Sequence, residues 1–206
     1  MSDFTTTRLA LHAVAELLLA GPQYVQSATI KLRVTPGGFG TVAMPDVRVE
    51  GLSLRLGEHD FDLAGRTIAE VAADAGLVPR ALDDVYADGC GLTADHLLEP
   101  QRGYAAEIAE AFRLGDEALA AFAPGAERII WPEHFDLGIT VGEVNFGVSP
   151  GDDHLETPYA YVGPWSPPGV TGDFWNAPFG SARPVADLGG VPALLDYFIE
   201  GQSLAG

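Results

Sequence analysis

The chain has one cysteine, Cys90, and only 11 lysine and arginine residues against 29 aspartate and glutamate residues among 206. A single thiol excludes an intrachain disulfide, so a reducing cytoplasm is the expected compartment. A formal net charge of −18 repels phosphate backbones and anionic lipid surfaces, and neither nucleic acid nor membrane is expected as a partner. Long apolar runs are scarce too. Leu9–Ala20 is interrupted by His12 and Glu16 and is too short to span a bilayer, so a secretory leader is not expected and a buried helix is. Gly-x-Ser-x-Gly, His-Glu-x-x-His and paired Cys-x-x-Cys are all missing, which removes the common hydrolase and zinc signatures.

What is present suffices for a full core. The hydrophobic share is 47%, and the chain reads as a single domain, 1–206, in which 1–100 and 101–206 each run helix, antiparallel strands, helix. In the first helix Leu11, Val14 and Leu18 share a face, with His12 and Glu16 four apart on another. Thr5, Thr6 and Thr7 offer N-cap oxygens, and Gly21-Pro22 is expected to stop the helix. Ala28–Val34 alternates apolar and polar residues; Thr35-Pro36-Gly37-Gly38 reads as a turn, and Val47–Val49 and Leu52–Leu56 continue a meander. Thr67 and Glu70 form a capping box for a helix to Ala75, ended by Gly76. A longer helix is expected over Tyr104–Phe122, strands over 128–131, 135–141, 144–148 and 159–162, and a last helix over 192–199. The fold class is α+β: mostly antiparallel sheet with helices packed on one face.

Three short motifs carry bland explanations. Thr67–Leu82 is similar to the helix-turn-helix of repressors, but Asp83 and Asp84 beside a lone Arg80 leave no basic face, so two packed core helices are expected instead. The glycine-rich loop Thr35–Thr41 lacks the Lys-Ser/Thr ending of a phosphate loop and is accounted for as a hairpin connection. Acids on the N-terminal side of Cys90 are expected to raise its thiol pKa, which fits a structural or incidental cysteine.

The chemistry-bearing residues concentrate between Ile130 and Arg183. If Phe135–Val141 is a strand, His134 and Asp136 project to one face, with Gly138 and Thr140 leaving space beside them. Glu133, His134 and Asp136 then suit an acid–base group or the donors of a divalent cation, with Asn145 on the neighbouring strand positioning a substrate; the alternative is a hydrogen-bonded histidine at a strand start. Asp152, Asp153 and His154 offer oxygen and nitrogen donors to a hard cation, or form an ordinary Asp-rich turn. Tyr159, Tyr161, Trp165, Trp175 and Asn176 provide aromatic walls and polar tips for a flat or carbohydrate-like small molecule, or cap one face of the sheet. The Pro/Gly-rich stretch 163–184 is expected to be an ordered loop that buries Trp165, Phe174, Trp175 and Phe179. The expected function is small-molecule binding, as an acid–base or metal-assisted enzyme or as a non-catalytic sensing or interaction module that uses the aromatic surface.

At Val34-Thr35-Pro36 with Gly38 and Thr41, and at Trp131 followed by Phe135-Asp136-Leu137, the chain resembles a bacterial protein family of unknown function. The spacing from Trp131 to Phe135 is one residue longer than that pattern, and Val141-Gly142-Glu143 stands where a basic residue would follow. The resemblance implies a shared fold and carries no activity.

Overall fold

The computed structural model describes residues 2–206. The chain divides into two compact units: the first takes it to Glu110 and then Ile130–Phe135, the second takes Ala111–Ile129 and Asp136–Gly206. Both combine antiparallel sheet with helix, so the class is α+β.

In the first unit α1 (Asp3–Val14) is capped by Ser2, whose side chain accepts from the Thr5 N–H. It runs straight into a π-helical segment, Ala15–Ala20, and then α2, Gly21–Ser27. Gly21-Pro22 therefore does not end the helix, and the reason is local. The wide π turn closes with Gly21 N–H donating to the Glu16 carbonyl, five residues back, and this geometry tolerates a residue with no N–H to give. The carbonyl of Leu17, left without a donor by Pro22, accepts instead from the Arg80 N–H at 3.1 Å. Gly21 makes that approach possible: a Cβ there would sit 2.1 Å from the Arg80 carbonyl oxygen. Termination comes at Ala28, in the left-handed region at φ 53°.

The strands follow as a meander. β1 (Leu32–Thr35), β2 (Gly38–Thr41), β3 (Val47–Glu50), β4 (Ser53–Leu56) and β5 (His59–Asp62) pair antiparallel in sequence, and the first turn carries Gly37 at φ +71°. β5 forms an edge, its residues mostly exposed, with Arg55 of β4 paired to Asp60 at 3.0 Å. After β6 (Arg66–Thr67), α3 (Ile68–Ala75) has the full capping box between Thr67 and Glu70 and ends at Gly76. No second helix follows: residues 77–96 are turns and irregular backbone. The expected pair of core helices is therefore wrong, because Pro79 and the run Asp83-Asp84 to Gly91 give no continuous apolar stripe to bury. The chain then enters β7 (Leu97–Leu98, paired to β6), α4 (Arg102–Phe122) and β8 (Ile129–Trp131), which meets β1 at Leu32↔Ile130. The core gathers Val14, Leu18 and Leu19 from the helix with Leu32, Phe39, Val47, Val49, Leu54, Ile68, Val71 and Phe135.

In the second unit β9 (Asp136–Val141), β10 (Val144–Ser149), β11 (Tyr159–Pro164) and β12 (Ser181–Pro184) form an antiparallel run. Alternation sends Leu137, Ile139, Phe146, Val148, Ala160 and Val162 to a buried face. Helices cover that face: Phe122 of α4 lies 4.7 Å from Phe146 by ring centroids, and Phe198 of α6 (Val191–Ala205) lies 6.0 Å from the same ring. A short α5 (Val185–Leu188) precedes α6. Among the described residues no helix is long and apolar enough to cross a membrane.

Gly21→Ala should lower unfolding free energy by about 3 kcal/mol or more, because the clash is with backbone that no side-chain motion relieves. Pro22→Ala should stay within about 1 kcal/mol. Urea unfolding of the two variants checks both, and a neutral Gly21→Ala would show that the Arg80 contact is not close.

Candidate functional site

The first unit gathers one group of three metal-competent donors among the described residues. One ligand atom each from Asp88, Glu133 and His134 lies within 4.8 Å of the others, near enough for modest side-chain rotation to bring all three onto one cation. Asp88 and His134 are exposed and Glu133 is half-buried, so the group opens to solvent. Two separate stretches supply it: Asp88 from the irregular 77–96 segment, Glu133 and His134 from the turn 132–135 that precedes β9.

Both stretches are tied to the first helix. His12 is buried, its Nε2–H donates to the Pro132 carbonyl at 2.7 Å, and its ring stacks on Phe135 at 5.5 Å and 9°. Phe135 has φ 52° and packs edge-on against Phe39 at 5.1 Å. A bulky residue in the left-handed region is strained, and its packing against His12 and Phe39 holds it there. Four residues after His12, Glu16 is also buried, with both carboxylate oxygens turned to loop backbone: Oε2 accepts from Cys90 N–H at 2.7 Å and Oε1 from Leu82 N–H at 3.4 Å. Gly89 admits this carboxylate, since a Cβ there would sit 2.7 Å from Oε2. A charge-assisted bond as short as that from Cys90 contributes about 1.5–3 kcal/mol, and the longer one from Leu82 contributes less.

Three ionisable groups near the donors are held in their neutral forms. Burial pulls the His12 pKa down, against the opposing bond to Pro132. Burial, then the Glu16 charge, pushes the Cys90 thiol up to about 12, the direction expected from its acidic surroundings. Tyr86 keeps its proton well above the usual phenol range, first through burial and then through Glu16, and its hydroxyl is buried without a hydrogen-bond partner.

The second unit holds most of the other expected residues on the sheet face away from α4 and α6. Asp136, Gly138 and Thr140 of β9 line up with Asn145, Gly147 and Ser149 of β10 and with Tyr159 and Tyr161 of β11. The Tyr161 hydroxyl crosses the lane left by Gly147 and Gly138 and donates to Asp136 Oδ2. Burial, then the Asp136 charge, raises its pKa. Tyr159 donates to Asp152 Oδ2 at 2.5 Å, while Asp152 Oδ1 accepts from the N–H groups of His154 and Leu155. Asp152 thus organises its own turn, and among the described residues Asp152, Asp153 and His154 do not meet as a three-donor group. Thr140 donates to Asn145 Oδ1 at 2.8 Å, with the Trp165 indole N–H 3.5 Å from the same oxygen. Asn176 bonds both backbone groups of Ala182 at 2.9 Å, a structural use of its amide.

Two expectations need correction. The strand begins at Asp136, not Phe135, and the positive φ of Phe135 breaks the alternation, so strand parity does not bring His134 and Asp136 to one face. His134 instead joins Asp88 and Glu133, while Asp136 bonds Tyr161. Trp165 is 64% exposed rather than buried; Phe174 is buried and Trp175 half-buried. Asp88, His12, Glu16 and Tyr86 were not among the expected site residues. Two ionisable residues four apart in an otherwise apolar helix were the available signal.

Comparison with known proteins returned no match to any protein-family model, to any curated protein or to any solved structure.

Because the folded His12 pKa lies below the unfolded value of 6.5, the unfolded chain binds the extra proton first as pH falls. The stability contributed by neutral His12 is complete above pH 6.5 and is lost below it. Urea midpoints at pH 7 and pH 5.5 should therefore diverge more in the native chain than in His12→Gln, which keeps an N–H donor but does not titrate. The Cys90 shift, from 9.0 to about 12, leaves about a thousandfold less thiolate, so iodoacetamide at pH 8 should label Cys90 at a comparable factor more slowly in the folded protein than in urea.

Proposed function

We propose that the protein binds a divalent cation through Asp88, Glu133 and His134 and presents it to a small polar molecule. The convergence of those three donor atoms carries the reading. Two carboxylates neutralise a doubly charged ion, the imidazole favours Mn²⁺, Fe²⁺ or Zn²⁺ over Ca²⁺, and three protein ligands leave positions for water or a ligand oxygen. A cation so held supplies Lewis-acid polarisation of a bound oxygen. Tyr86, on the segment that carries Asp88, adds a protonated hydroxyl with no partner inside the protein. The reading makes the chain an acid–base or metal-assisted enzyme of the reducing cytoplasm, where its single thiol stays reduced.

A second reading rests on Trp165. Its 64% exposure beside Asn145 and Thr140 suits stacking of a flat or carbohydrate-like molecule by a non-catalytic module.

Isothermal titration of the protein with Mn²⁺ should give one site, and saturating Mn²⁺ should raise the melting temperature. His134→Ala, at an exposed position, should abolish both effects while leaving the metal-free melting temperature within about 2 °C of the native one. Native protein that takes up no cation would sink the first reading. Loss of small-molecule retention in Trp165→Ala but not in His134→Ala would favour the second.

A further inference from the structure

The three donors come from two separate stretches, Asp88 standing 45 positions before Glu133, and neither stretch is helix or strand where it carries them. Their spacing must be set by something else. The turn 132–135 is held where His12 Nε2–H meets the Pro132 carbonyl and where the His12 ring lies against Phe135. The Asp88 segment is held at three backbone points by the same helical run: Arg80 N–H on the Leu17 carbonyl, and Leu82 N–H and Cys90 N–H on the Glu16 carboxylate. Leu82 and Cys90 bracket Asp88, and Pro132 and Phe135 bracket Glu133 and His134. We propose that His12 and Glu16 are the positioning residues of the cation site, acting as two fixed points on one helix that set the distance between its two donor segments.

The inference rests on the cation reading and extends it to residues that touch no ion. Groups hydrogen-bonded to metal ligands typically change metal affinity by roughly ten- to a hundredfold when removed, and the proposal extends that order of effect to groups that hold the backbone on either side of the ligands. The π segment suits the task. Its wider turn takes the Gly21 N–H to the Glu16 carbonyl and so leaves the Leu17 carbonyl for the loop.

The test compares Mn²⁺ affinity in four variants of the full chain. Glu16→Gln removes an acceptor oxygen from the Asp88 segment, and His12→Ala removes the donor to Pro132; each should weaken Mn²⁺ binding roughly ten- to a hundredfold. His12→Gln restores an N–H donor and should recover most of the affinity lost in His12→Ala. Thr7→Val is the control: it breaks a bond of the same helix, to the Gln101 N–H at 2.9 Å, which lies outside both donor segments. It should lower stability and leave Mn²⁺ affinity unchanged. Amide exchange in the metal-free protein gives an independent arm, with Cys90 and Leu82 exchanging faster in Glu16→Gln and not in Thr7→Val. If Glu16→Gln does not fold, the His12 pair decides.

Native affinity in both Glu16→Gln and His12→Ala, in a protein that binds Mn²⁺, overturns this inference alone. Equal weakening in Thr7→Val also overturns it, as a general effect of stability. Native protein with no Mn²⁺ binding removes the cation reading and this inference together.

Discussion

A buried carboxylate on a helix, bonded to the backbone of a segment without regular structure, is the constraint on which the first unit's site depends. Glu16 has its oxygens on Leu82 and Cys90 N–H groups and is shut from solvent. Burying a charge without such partners costs several kcal/mol, so the segment cannot leave without exposing Glu16 to that penalty or to water. The result is an irregular stretch with a defined path. His12 does the corresponding work for the turn before β9 with a neutral ring, using one hydrogen bond and one stacking contact.

The helix is shaped for this work by two residues that usually end helices. Pro22 removes an N–H and leaves the Leu17 carbonyl for Arg80; Gly21 removes a side chain and lets the Arg80 backbone reach it. Together with the π segment they convert a helical surface into a docking strip for another part of the chain. Reading Gly-Pro as a stop signal failed because the signal describes an isolated helix, whereas here the missing groups are supplied from residue 80.

Much of the scaffold was legible because it is set by local chemistry. The capping box at Thr67 and Glu70, the hairpin at Pro36-Gly37 and the alternation in β3, β4, β10 and β11 are written within a few residues of where they act. Less of the site was. Glu133 and His134 stood out by residue type, but their third neighbour, Asp88, lies 45 positions before Glu133 and is brought there by contacts that no period reveals. Asp136 was grouped with His134 on the assumption of continuous strand, and a single residue at positive φ separates them. The tyrosines were legible as one face of β11, yet their hydroxyls turn inward to Asp136 and Asp152.

The outer strand of the first unit's meander, β5, has a bearing on how the protein behaves in concentrated solution. His59-Asp60-Phe61-Asp62 presents unpaired backbone at an edge, the usual template for a neighbouring chain to add a strand and begin aggregation. Here an incoming copy would set its own Asp60 and Asp62 near the same carboxylates, on a molecule that already carries a net charge of −18. Repulsion rather than shape guards this edge, and such a guard is strongest in dilute salt and fades as ions screen it.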